Sequence, residues 1–133
     1  MRSTRRTVSL LVTALVALAA LAPAALAAAD TTERIITLHA GTAYPAANGK
    51  AKYKTGNGER EFQVEVEDIR TLSGKRVSVF ANGNKVGTAL VNRFGNARLN
   101  RDTAKGQSVP VIKGGSKVVV RTAGGTLIVT GTF

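Results

Sequence analysis

Glu61, Glu65, Glu67 and Asp68 are the residues whose types and spacing come nearest to chemistry. On an extended chain, carboxylates two positions apart share a face at about 6.8 Å, inside the separation that an inverting glycosidase uses. A glycosidase sets its two carboxyls across a concave groove, whereas these run along an open strand opposite lysines. A calcium loop adds backbone carbonyls and a glycine at its sharp turn, and the run supplies neither. A salt-bridged hairpin is therefore the leading reading. A hydrolase or calcium-dependent carbohydrate-binding domain that uses residues 61–68 is the alternative.

His39 is the single histidine, and the chain has no cysteine. Zinc needs three or four ligands, and a Ser-His-Asp site needs a nucleophile on a strained loop, so neither is expected. The glycines punctuate strands, and none precedes a Gly-Lys-Ser/Thr triplet, so a phosphate loop is not expected either. The chain reads as a non-enzyme without metal or cofactor.

Charge is the feature that remains. The net charge is +11. Between residues 28 and 86, nine lysines and arginines face seven acids, but from Gly87 onward seven (Arg93, Arg98, Arg101, Lys105, Lys113, Lys117, Arg121) face Asp102 alone. Unneutralised charge of this kind attracts an anionic glycan, a lipid headgroup or another polyanion. Arg98, Arg101, Lys105, Lys113, Lys117 and Arg121 are the expected anion-binding set, with solubility as the plainer role of the same charge. With six aromatics and no tryptophan, a stacking platform for sugars or single-stranded nucleic acid is hard to build, and no specific nucleic acid is expected. Phe80, which alternation turns outward beside inward Val77 and Val79, and Phe94, at a loop tip, form the expected contact surface.

Strands and tight turns must position these residues. Short β-branched runs recur between Gly and Asn, and no stretch beyond the N-terminal apolar run has helical apolar spacing. A type I′ turn at Asn57-Gly58 sets Tyr53 opposite Phe62, Ala51 opposite Val64, Lys54 opposite Glu61 and Lys50 opposite Glu65. Turns at Asn82-Gly83 and Gly124-Gly125 pair Val79 with Val86 and Val120 with Val129. Further strands are expected over residues 34–44, 88–92 and 97–100, with an edge at 109–112 that Pro110 weakens.

The chain also repeats itself. Gly41-Thr42-Ala43-Tyr44 returns as Gly87-Thr88-Ala89-Leu90 at an offset of 46, and Gly74, Val77, Val79 and Gly83 return as Gly115, Val118, Val120 and Gly124 at an offset of 41. Pseudo-repeats over 41–86 and 87–133 follow. The expected fold is all-β, an antiparallel sandwich of about eight strands built from an internal duplication, with a small β-barrel as the alternative.

The first residues set the address. Arg2, Arg5 and Arg6 precede an apolar run over residues 8–21, then Pro23 and small residues around Ala27. This is the pattern of a secretory signal peptide over residues 1–27, favoured over an uncleaved anchor. It leaves one domain, residues 28–133, with no integral membrane segment, in the periplasm, the cell envelope or the medium.

Overall fold

The hairpin of β2 (Asn48–Gly56) and β3 (Glu59–Glu67) has the expected register at all four positions, Tyr53 with Phe62, Ala51 with Val64, Lys54 with Glu61 and Lys50 with Glu65. Asn57 and Gly58 both have positive φ, 53° and 73°, as a type I′ turn demands. Gly58→Val is expected to cost more than ~1 kcal/mol in denaturant unfolding, because a β-branched residue resists that φ.

The computed structural model describes residues 30–133; the expected signal peptide lies outside the described residues. Around the hairpin stand β1 (Thr32–Ala40), β4 (Arg76–Ala81), β5 (Asn84–Leu90), β6 (Ala97–Asp102), β7 (Lys117–Thr122) and β8 (Leu127–Thr132). All pairings are antiparallel, and the eight strands form one sheet in the order β5-β4-β7-β8-β1-β2-β3-β6. β3 pairs with β6 and β4 with β7, although two strands separate the members of each pair in sequence.

The sheet curls into a nearly closed barrel, the alternative arrangement, rather than two stacked sheets. The cause is β1, which pairs with both β2 and β8 and so joins the two halves edge to edge. Gly131 permits that approach, since a Cβ there would lie 2.7 Å from the Thr37 carbonyl oxygen. The remaining seam lies between β5 and β6, which touch without a ladder. Arg101 crosses it: a Cβ on Gly87 would lie 2.6 Å from the Arg101 Nη2 and 3.2 Å from Leu99 Cδ1.

Alternation fills the barrel with Leu38, Phe62, Val64, Val66, Val77, Val79, Val118, Val120 and Val129, all buried. Outward positions on β2, β3 and β6 carry Lys50, Lys52, Lys54, Glu61, Glu65, Arg98 and Asn100. That is the inverse of a membrane barrel, whose outer band is apolar. No helix among the described residues is long and apolar enough to cross a membrane.

The expected edge over 109–112 is instead a loop that plugs one end. Val109 and Ile112 are buried, and their carbonyls accept Arg60 Nη2 (3.2 Å) and Arg34 Nη2 (3.0 Å) rather than strand neighbours.

Two hairpins differ from expectation through bulges. Val79 pairs with Gly87, not Val86, because the register shifts between Val79 and Phe80. Val120 does pair with Val129, but through a longer turn, closed by Thr122 N–H to the Thr126 carbonyl, and a compensating shift between Val120 and Arg121. These bulges are themselves 41 residues apart. Across β4 and β7, Val79 faces Val120, Val77 faces Thr122 and Ala81 faces Val118. The other echo falls on unlike elements, since Gly41 to Tyr44 lies in the β1–β2 loop and Gly87 to Leu90 in β5.

Candidate functional site

The six basic positions expected to bind anions do not share one face. Arg98 projects from β6 and is ion-paired with Glu65 at 3.3 Å, the one such pair among the described residues. Arg101 is half-buried at the seam. Lys105, Lys113 and Lys117 lie at the plugged end, on the 3₁₀ turn Thr103–Lys105 and on the approach to β7. Arg121 lies at the opposite end, where its Nη1 donates to the Gly125 carbonyl at 3.1 Å. Phe80 and Phe94 are also separated. Phe80 is half-buried near the plugged end, between Lys85 and Val119. Phe94 is 54% exposed at the other end, under the Arg93 guanidinium at 4.7 Å.

The acidic strand is matched to its neighbours. Glu65 accepts from Gln63 (2.9 Å) as well as meeting Arg98, Glu61 accepts from Asn100 (3.4 Å), and Asp68 accepts from Asn48 (2.6 Å). His39 is exposed near the end of β1, opposite Thr130 and Asn48. No group of three or more His, Asp or Glu placed to hold a metal ion occurs among the described residues.

Concave surface gathers at the end opposite the plug, where the loops 41–47, 68–75, 91–96 and 123–126 meet. The interior is filled, and clefts of about 400, 350 and 490 Å³ open on these loops, against about 240 Å³ on the outer face of β2 and β3 and about 260 Å³ beside Asn57 at the plugged end. Their shape is fixed by backbone bonds: Gly41 N–H donates to the Ile128 carbonyl, Ala47 N–H to that of Tyr44, Ile69 N–H to that of Gly95 and Gly74 N–H to that of Val91. Leu72, on the 3₁₀ turn Arg70–Leu72, is buried and anchors that segment.

One cleft of about 350 Å³ is lined by Ala43, Tyr44, Pro45, Asp68, Arg70 and Thr71. A second of about 490 Å³ is lined by Tyr44, Leu72, Lys75, Arg76, Thr122 and Gly124. Tyr44 is the wall they share. Arg70, Lys75, Arg76 and Arg93 are exposed at this end, with no carboxylate at ion-pair distance among the described residues. Such charges are open to an anionic ligand.

Gly95 is the structural support of this arrangement. At φ 83°, it sits so close to the 3₁₀ turn that a Cβ would lie 2.5 Å from Arg70 N and 2.8 Å from Arg70 Cα. Gly95→Ala is expected to lower the unfolding temperature and to speed amide exchange across residues 69–75, where it pushes the turn away; unchanged exchange there would contradict the packing.

Tyr44, Arg70, Lys75 and Arg76 were not among the site residues expected from sequence. The adjacent pair Lys75-Arg76 was the available signal, but only the order of strands brings it beside the β1–β2 loop. No protein-family model matches this chain, and no curated protein or solved structure matches it either.

Proposed function

We propose that the protein is an exported, non-catalytic binding module that engages anionic polymers or surfaces through the loop end of its barrel. The observation that carries this reading is the set of cations around Tyr44, exposed and without carboxylate partners among the described residues. An apolar interior leaves the outer clefts as the place for a ligand, and the larger of these open at the loop end. Export rests on the arginines, apolar run and small residues of positions 1–27.

The hydrolase or calcium-dependent alternative draws less support. Glu61 and Glu65 lie along one strand face, turned to an amide and a cation, and not across a groove.

Retention on immobilised heparin tests the reading. The protein is expected to bind at low ionic strength and to elute over a narrow rise in salt, because exposed charges are screened within about 8 Å at ~0.15 M. Passage through the matrix at low salt would contradict it.

A further inference from the structure

The two clefts that share Tyr44 differ in charge, and the difference selects a ligand. The cleft beside Arg70 also holds a carboxylate, Asp68, whereas the cleft beside Lys75 and Arg76 holds none. Asp68 is held in place by its left-handed backbone (φ 62°) and by the Asn48 amide on Oδ2. A polymer with an anion on every unit meets repulsion there. A sugar ring with free hydroxyls does not, since Asp68 accepts from hydroxyls and Thr71 both donates and accepts. Tyr44, half-buried against the core and lining both clefts, is their one aromatic wall for the C–H face of a pyranose. Lys75 and Arg76 then meet a carboxylate or sulfate on the neighbouring unit, Arg76 in bidentate fashion.

Resting on the anion-binding reading above, we infer that the loop end takes an acidic glycan in which uncharged and charged sugars alternate. The uncharged ring sits on Tyr44 beside Asp68, and the acidic ring faces Lys75 and Arg76. Single-stranded nucleic acid fits less well. It stacks on successive aromatics, where these clefts offer Tyr44 alone, and it brings a phosphate per unit to Asp68.

Calorimetric titration with a hyaluronan oligosaccharide, inorganic polyphosphate and oligothymidylate of equal charge tests this. Tyr44→Ala is expected to weaken the oligosaccharide ~10-fold or more and polyphosphate less than ~2-fold, with Tyr44→Phe close to the parent for both, as loss of a stacking face requires. Asp68→Asn, which keeps the hydrogen bond and tolerates the left-handed backbone, is expected to tighten polyphosphate ~3-fold or more, a gain that misfolding does not mimic.

An oligosaccharide affinity indifferent to Tyr44→Ala overturns the inference. So does oligothymidylate bound more tightly with the same dependence on Tyr44, which assigns the clefts to nucleic acid. Binding of polyphosphate without the oligosaccharide overturns the inference and leaves the anion-binding reading standing. Binding of none of the three removes both.

Discussion

Phe62→Ala is expected to be the most damaging single substitution in the domain, lowering unfolding free energy by about 3–5 kcal/mol. Phe62 is fully buried, with Tyr53 opposite it on β2 and Arg101 opposite it on β6. Its ring is the largest fully buried side chain, and the barrel around it is closed on both sides by paired strands. Truncation therefore leaves a cavity that a rigid sheet collapses onto poorly, so the cavity cost adds to the lost transfer free energy. Equilibrium unfolding in urea reads the effect. A loss below ~1 kcal/mol would mean that Phe62 is not at the centre of the core.

The second large effect is on binding. Lys75→Glu with Arg76→Glu is expected to abolish heparin retention at ~0.15 M salt while leaving the unfolding temperature close to the parent's. Both side chains are exposed at the start of β4, and neither is ion-paired among the described residues, so reversal breaks no observed ion pair. Retention is lost because two attractive contacts become repulsive ones. Neutralising the pair with glutamine should lower the slope of log affinity against log salt by about 1.4–1.8, the value for two released counterions. Lys85→Glu with Lys117→Glu, both exposed at the plugged end, is the charge-matched control, expected to shift elution far less. Equal shifts for the two variants would reduce the effect to net charge.

Legibility from sequence followed the range of the interactions. The β2–β3 register was readable because Asn57-Gly58 sets a local turn and because lysines and glutamates alternate with Tyr53, Phe62 and Val64. The Val79 to Gly87 register was not, since a bulge inserts a residue without a turn signal. Strand count was legible and closure was harder to see, because it depends on β1 meeting β8, whose partners are about ninety residues apart in sequence. Pro110 correctly weakened the edge over 109–112, but nothing local showed that Arg34 and Arg60 would claim its carbonyls.

The candidate site was less legible than the fold for the same reason. Charge counts pointed to the second half of the chain, where Arg98 is neutralised by Glu65 and the lysines lie at the plugged end. Lys75 and Arg76 were hidden in the first half, whose overall balance the glutamates of β3 offset. Topology carries those glutamates onto the strand face and leaves the pair uncompensated at the loop end.

Amide chemical shifts followed while a heparin oligosaccharide is titrated into the isotope-labelled protein locate the binding face residue by residue. The largest perturbations are expected on Tyr44, Arg70 and Thr71, on Lys75 and Arg76, and on Thr122 to Gly124, and they are expected to fade together as salt is added. Perturbations centred instead on Arg98 in β6 or on Lys113 and Lys117 at the plugged end, or none at any ratio of ligand to protein, would contradict binding at the loop end.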